Sequence, residues 1–454
     1  MVHPSLQILI PGLLTALLFL SGCSTQADEH TQAQEETRPN IVMIISDDHA
    51  WNDHGFVGGR VVQTPNLDRL ASESMVYMRG YTPTSVCRPS LATIVTGLYP
   101  HQHGITGNDP PGENSRDPAA RAELVDVFRR NVNLPELLGE HGYVSHQSGK
   151  WWEGDPTEHG FTVAMTHGIV EEGGRHGDEG LTIGREGMEP IFNFIDAADD
   201  QPFFIFYAPF LPHTPHNPPD RLLVKYQAPD RPVEVAKYYA MIEWLDETVG
   251  ELLNYLDREG LVEDTIVLYA VDNGWIQAVG DQAMADTRSK MSPYDAGMRT
   301  PIMIRWPGEI QPGRDEETLV STVDLVPTML HAAHIEPPSG LPGIDLRDSE
   351  ALSNRKMVFG ALFAHTAVDL YDPVANLKYR YVVREDGWKL ILSYTPNRGV
   401  PLMINGATSD WMRFEPELYN VIEDPYERND MADERPELVS ELRTEIEQWW
   451  TVSQ

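Results

Sequence analysis

NIVMIISDD, residues 40–48, is an uncharged run rich in β-branched residues that ends in two aspartates. Such a run reads as a strand buried on both faces. TIVLYAVDN, residues 265–273, has the same plan, with Asp272 and Asn273 at its end. PFFIFYAP (202–209) and PIMIRWP (301–307) are further candidate strands. Between them, residues 233–260 place Val235, Tyr239, Ile242, Leu245, Val249, Leu252 and Leu256 at helical spacing, with Gly260 as terminator. NLPELLGEHGY (133–143) reads as a helix with a glycine stop. Buried strands alternating with amphipathic helices predict an α/β fold: a mainly parallel central sheet with helices on both faces. Ligands bind such sheets beyond the carboxyl ends of the strands.

After about residue 345 the pattern changes. KYRYVVREDGWKLILSY (378–394) reads as a hairpin around Asp386-Gly387, and PELVSELRTEIEQWW (436–450) as a closing helix. We therefore expect a larger unit over residues 39–345 and a smaller C-terminal α+β unit with an antiparallel sheet over 346–454. No internal repeat is visible.

The 454 residues are 41% hydrophobic, enough for a large core, and carry 34 basic against 69 acidic side chains, a formal net charge of −35. That balance argues against nucleic acid or an anionic membrane surface as a partner, and an anionic substrate needs a local basic pocket. It suits a salty medium, where charge repulsion is screened. LQILIPGLLTALLFLSGCS (6–24) is apolar, short for a membrane span, and ends in small residues. Residues 1–22 read as a secretory signal, and Leu20-Ser21-Gly22-Cys23 resembles a bacterial lipobox that would place lipid on Cys23. An ordinary signal peptide with an incidental cysteine is the alternative. Residues 23–38 are polar and aperiodic, as a tether would be. The expectation is an exported protein, a periplasmic or cell-surface lipoprotein whose membrane contact is the lipid anchor alone.

Asp47, Asp48, Asp272 and Asn273 are hard oxygen donors at one sheet edge, the ligand set that Ca²⁺ or Mg²⁺ prefers. One aspartate after a strand usually caps a turn; two such pairs at one edge favour a metal. Cys87 is one of only two cysteines. Pro89 suits a first helical turn and Gly97 a helix end, so Cys87 falls at a helix N-terminus, which favours an anion. The thiol there is either a reactive thiolate or the precursor of another nucleophile.

Cys87-Arg88-Pro89-Ser90 followed by LATIVTGLYPHQHG (91–104) resembles the sulfatase motif, in which the cysteine of a Cys-x-Pro-x-Arg element is oxidised to formylglycine. The similarity continues in order through RPNIVMIISDDH (38–49), SGKWW (148–152), YAPFLPHTP (207–215), VDNG (271–274), SKMSPYDAGMRTPIMIRWPG (289–308), STVDLVPTML (321–330) and ELYNVIEDPYE (417–427). The resemblance is to the formylglycine-dependent, arylsulfatase-like sulfatases of the alkaline phosphatase superfamily. It implies that Asp47, Asp48, Asp272 and Asn273 hold a divalent cation, usually Ca²⁺ with Mg²⁺ as the alternative, and that modified Cys87 completes the shell. It implies Lys150 and Lys290 on the sulfate oxygens and His213 at the leaving-group oxygen. It also implies a formylglycine-generating enzyme as a partner. The hydrated aldehyde would attack sulfur with one hydroxyl, assisted by the cation and a carboxylate such as Asp272, and its second hydroxyl would expel sulfate.

Two positions depart from the pattern: Leu91 stands where the family usually has arginine, and Trp152 where it usually has histidine. Arg88 is the only arginine near the cysteine and is a candidate substrate contact. His146, His176 and His216 are possible substitutes for the missing histidine. Residues 171–185, EEGGRHGDEGLTIGR, are either a pocket loop that supplies Arg175 and His176 to substrate or a solvated surface loop. The expected activity is hydrolysis of sulfate esters on a sulfated small molecule or glycan. Export, acidity and the ten tryptophans available as sugar platforms favour carbohydrate. Alternatives are a phosphomonoester or phosphonate hydrolase on the same scaffold, and a non-catalytic lipoprotein that binds sulfated glycans.

Overall fold

Alternation of side chains along the first strand explains the layering. β1 (Asn40–Ser46) sends Ile41, Met43 and Ile45 into one apolar cluster and Val42 and Ile44 into another, so both faces are covered. The computed structural model describes residues 38–112, 114, 116–169, 175–394, 396 and 413–452. Cys23 and the expected signal segment lie outside the described residues.

The remaining strands of the large sheet are β2 (Met75–Tyr81), β3 (Val144–Gly149), β4 (Val163–Ala164), β5 (Phe203–Ala208), β6 (Thr265–Val271), β7 (Arg299–Arg305) and β8 (Gly313–Ser321). Their order is β4-β3-β5-β1-β6-β7-β2-β8. β1 lies at the centre, parallel to β5 and β6, with Met43 opposite Phe206 and Leu268. β7 runs antiparallel to both β6 and β2 and is the departure from an all-parallel sheet. Helix Val233–Arg258 covers one face, burying Leu245, Val249, Leu252 and Leu256 against Val42, Ile44 and Tyr269. On the other face lie helices Cys87–Thr96, Leu134–Glu140 and Leu325–Ala332. The helix expected over 133–143 starts with a reciprocal cap between Asn133 and Glu136.

A second sheet is antiparallel, in the order β12-β11-β10-β9, from β9 (Met357–Phe363), β10 (Leu377–Arg384), β11 (Trp388–Ser393) and β12 (Glu417–Asn420). The hairpin turns at Gly387 (φ 92°) as expected. Helix Pro436–Trp449 packs Leu442 and Ile446 onto Val382, Leu390 and Leu418. The opposite face contributes Tyr379, Tyr381, Ile391 and Tyr419 to a cluster shared with Tyr81, Val86, Tyr294 and Met298. At this seam the fully buried Lys389 ammonium lies 2.8 Å from Asp295 and 3.0 Å from Glu427. A buried ammonium between two carboxylates is tolerated because the charges compensate one another.

Candidate active site

β1 and β6 are neighbours in register, so the residues that follow them emerge at the same sheet edge. The Asp272 amide donates to the Ser46 carbonyl at 2.9 Å, closing the ladder directly under the site. Asp272 Oδ1 then accepts from the amides of Asp48 (3.1 Å) and Asn273 (2.6 Å), and Asn273 Nδ2 donates to Asp48 Oδ1 (2.6 Å). Asp48 is held at φ 61°, a conformation that costs free energy in a non-glycine residue. Phe210 (φ 58°) and Met291 (φ 60°), which flank the same edge, share it.

Two lysines reach the carboxylates from separate elements. Lys150 follows Gly149 at the end of β3, and Gly149 has φ +88° with Ala208 O only 1.8 Å from where a Cβ would stand. Glycine is required there, and the tight turn aims Lys150 inward. Its Nζ lies 2.7 Å from Asp47 Oδ1 and 3.3 Å from Asp272 Oδ2. Lys290 Nζ lies 2.7 Å from the Asp48 carboxylate. Burial pulls both ammonium groups down, but Asp47 and Cys87 at Lys150, and Asp48 and Cys87 at Lys290, outweigh it, so both stay charged.

His213 Nδ1 is 2.6 Å from the Thr214 carbonyl, which places the ring proton on Nδ1. The lone pair on Nε2 then faces Lys290 Nζ at 3.4 Å and Asp48 Oδ2 at 3.4 Å. Burial, followed by Lys290 and Lys150, holds His213 well below its usual range, so the ring is neutral.

Cys87 opens helix Cys87–Thr96, with Sγ 3.9 Å from Asp48 Oδ1. Burial pushes its thiol up to about 12 despite Lys150 and Lys290.

Burial, with Asp272 next, also raises Asp47 well above the usual carboxylate range. Asp47 Oδ2 and Asn273 Oδ1 are buried with no hydrogen-bond partner. Orphaned hard oxygens among three carboxylates fit a divalent cation. Asp47, Asp48, Cys87 and His213 each offer a ligand atom within 4.8 Å of the others.

The remaining sequence candidates are distributed differently. Arg88 is fully buried, with Nε 2.7 Å from Glu153 Oε1 and Nη2 on Glu153 Oε2, so its guanidinium braces the loop after β3, while Nη1 is buried with no hydrogen-bond partner. Leu91 and Trp152 belong to the same apolar cluster, so both departures from the motif replace polar groups by packing. Arg175 stacks over Trp152 (4.9 Å to the ring centre) and binds Asp109 through two bonds of 2.8 and 2.7 Å. The His176 ring lies 4.7 Å from that of Trp152 and 5.9 Å from that of His213. This loop therefore reaches the rim of the site, with the Arg175 guanidinium committed to Asp109.

Asn108, Asp109, Glu153, Trp275 and His365 also line this region and belong to no quoted motif role. Glu153 directly follows Trp152, so opposite charge is a usable hint for pairing it with Arg88. Nothing in the sequence marks His365, which lies 257 positions from its partner Asn108.

The family model described as "Sulfatase" matches residues 39–335. The chain belongs to the sulfatase family. A second model, "N-sulphoglucosamine sulphohydrolase, C-terminal", matches residues 281–451 of this sulfatase-family chain. Among curated relatives it is 30% identical to the N-acetylgalactosamine-6-sulfatase of Canis lupus familiaris over 349 residues, 68% of this chain and 65% of that protein. It thus spans less than two thirds of that relative. It is 27% identical to an endo-4-O-sulfatase of Bacteroides thetaiotaomicron over 95% of this chain and 94% of that one. An ulvan-active sulfatase of Formosa agariphila is 27% identical over 76% of this chain and 71% of its own length. The fold matches Ps i-CgsB with a TM-score of 0.69 at 22% identity, covering 91% of this chain and 93% of that one. It also matches the phosphonate monoester hydrolase of Agrobacterium radiobacter with a TM-score of 0.65 at 17% identity, covering 90% and 95%. Fold likeness alone therefore does not separate sulfate from phosphonate chemistry.

Proposed function

We propose that this protein hydrolyses sulfate esters of a carbohydrate, with residue 87 as nucleophile after oxidation of its cysteine to formylglycine by a formylglycine-generating enzyme. The supporting observation is the enclosure of Cys87 by Asp48, Lys150, Lys290 and His213 at one sheet edge. Two ammonium groups border the cluster, an arrangement suited to a sulfuryl group, whose charge grows on its oxygens in the transition state.

Asp47, Asp48, Asp272 and Asn273 would hold the divalent cation, calcium in our reading, with residue 87 alongside. When bound, the cation supplies Lewis acidity toward the nucleophile and the sulfuryl oxygens. Lys150 and Lys290 bind and orient those oxygens. His213, neutral beside the two ammonium groups, gains proton affinity once an anionic ester sits between them, and Nε2 can then deliver a proton to the departing alcohol. General acid catalysis of this kind contributes about 10²- to 10⁴-fold. His176, at the rim, meets the part of the substrate beyond the sulfate, with Arg175 held on Asp109 beside it.

The names of the endo-4-O-sulfatase and the ulvan-active sulfatase support a polysaccharide substrate, as does the export signal read from the sequence. We place the protein outside the cytoplasm, anchored through lipid on Cys23. The catalytic unit is residues 39–345, with 346–454 as a subdomain.

The test is mass spectrometry of the peptide that carries residue 87, from protein made in a host with the modifying enzyme, together with turnover of an aryl sulfate and an aryl phosphate. We expect an aldehyde and a preference for sulfate. Quantitative free thiol in active protein, or faster release from the phosphate, overturns the proposal.

A further inference from the structure

His213 makes one short hydrogen bond, from Nδ1 to the Thr214 carbonyl, and a ring held at one atom can still swing about that bond. Resting on the general-acid reading above, we propose that Arg185 is the positioning residue for His213, holding the turn whose Phe210 ring fixes the imidazole.

Arg185 ends the stretch 171–185 that the sequence offers as a pocket loop. Its guanidinium spans two successive carbonyls: Nη1 donates to Pro209 O at 3.1 Å and Nη2 to Phe210 O at 3.0 Å. The planar fork of a guanidinium fits such a pair, whereas an ammonium is a point donor. The guanidinium also lies 5.9 Å from the centre of the Phe210 ring and 5.5 Å from that of Trp244. Among the described residues no carboxylate forms an ion pair with it; burial lowers Arg185, and Asp47 in the site opposes that shift. The two carbonyls and the aromatic faces are what compensate its enclosure.

What the fork holds is a strained turn. Phe210 has φ 58°, and its amide donates to the Ala208 carbonyl, two residues back, at 2.8 Å. Left-handed backbone at a bulky residue persists only where the surroundings determine it. The Pro209 carbonyl belongs to the peptide before Phe210 and the Phe210 carbonyl to the peptide after it, so the fork sets both planes. The next carbonyl, Leu211 O, accepts from Asp47 N at 2.9 Å and ties the turn to the carboxylate cluster.

The turn delivers one buried ring. Phe210 stacks on His213 with 4.2 Å between ring centres and 25° between planes, and lies 5.4 Å from Lys150 Nζ. Stacking closes one face of the imidazole and stops the swing about Nδ1, so Nε2 stays 3.4 Å from both Lys290 and Asp48. His176, from the same stretch as Arg185, approaches the Phe210 ring at 5.2 Å. The other two histidines offered by the sequence lie elsewhere, His146 against Phe194 and His216 against Tyr238 and Trp275. Arg185 thus acts on the proton transfer through Phe210.

The test compares release of phenol from phenyl sulfate with release of nitrophenol from para-nitrophenyl sulfate, in wild type, Arg185→Met, Arg185→Lys and Phe210→Leu. Nitrophenolate leaves with little help, so its release depends less on a general acid. We expect kcat on phenyl sulfate to fall about 10²-fold in Arg185→Met, the scale for a catalytic group displaced by about 1 Å, with a far smaller fall on the nitrophenyl ester and KM near wild type. Arg185→Lys keeps the charge and loses the fork, so it should show the same skew, as should Phe210→Leu. The ratio of the two rates is read on one preparation, so any loss of folded protein cancels from it. If Arg185→Met yields no soluble protein, Arg185→Lys and Phe210→Leu decide. Equal losses on both esters, no loss, or a wild-type ratio in Arg185→Lys overturns the assignment. His213→Ala, run alongside, separates the two readings: a skewed loss there with none in the Arg185 and Phe210 variants sinks the assignment alone. Equal loss on both esters in His213→Ala, or release of neither phenol by wild type, sinks the general-acid reading and the assignment with it.

Discussion

Replacing Lys150 by alanine removes the central cation of a buried cluster. Its Nζ sits 2.7 Å from Asp47 and 3.3 Å from Asp272, and the lysine and Asp47 side chains are 1% and 2% exposed. At an effective dielectric constant near 20, the closer contact alone is worth about 6 kcal/mol of attraction. Desolvation of both groups opposes this, so the measured loss on removing one partner of such a pair is about 3–5 kcal/mol. The compact unit Arg38–Gln454 has 417 residues. At ~2.1 cal/mol/K per residue its unfolding entropy is roughly 0.9 kcal/mol/K, so that loss lowers Tm by about 3–6 °C. Calorimetric melts of wild type and Lys150→Ala in chelator measure the difference. In calcium the gap should narrow, because a divalent cation among Asp47, Asp48 and Asn273 returns positive charge to the same oxygens. Turnover should fall about 10²- to 10³-fold, the scale for losing one donor to transition-state charge. Equal melting temperatures in chelator would refute the view that Lys150 holds the carboxylates together.

Arg88→Ala should cost about 3–5 kcal/mol in urea unfolding by stranding Glu153, whereas Arg88→Ala with Glu153→Ala should cost less than the two singles combined; KM should stay near wild type if Arg88 does not touch substrate. Gly149→Ala forces a Cβ to within 1.8 Å of Ala208 O, so β3 and β5 must separate, and both a fall in soluble yield and loss of turnover should follow. Burial lowers His101 and His146 to about 4 from an ordinary 6.5. Their folded values lie below the unfolded one, so their contribution to stability is full above pH 6.5 and drains away as pH falls toward 4. That is on the order of 3 kcal/mol per ring, and His146→Gln should flatten the decline of Tm between those pH values.

The elements legible in the sequence were those whose faces are uniform. β1, β5 and β6 are apolar on both sides, and helix Val233–Arg258 carries a regular stripe, so local pattern and final environment agree. The metal-ligating candidates were legible for the same reason: they directly follow strands whose ends had to share an edge. β7 was legible as a strand but not in direction, because an antiparallel insertion leaves no mark on composition. The pairing of Arg88 with Glu153 was not legible either, because a cation beside the cysteine looks like an anion receptor until its partner is placed. The Asn108–His365–Asp109 arrangement was out of reach, since it joins segments more than two hundred positions apart through one pair of zipped loops.

Lys389, on β11, reaches back to Asp295, and the Glu427 carbonyl takes the Arg288 guanidinium just ahead of Lys290. The second sheet and the segment after it are thus a brace for the loop that presents Lys290 to the candidate site. A chain that ended at residue 345 would keep every strand of the large sheet, the last of which is β8, and lose Lys389 and Glu427, so the loop that presents Lys290 would lose its contacts with the second sheet and the segment after it.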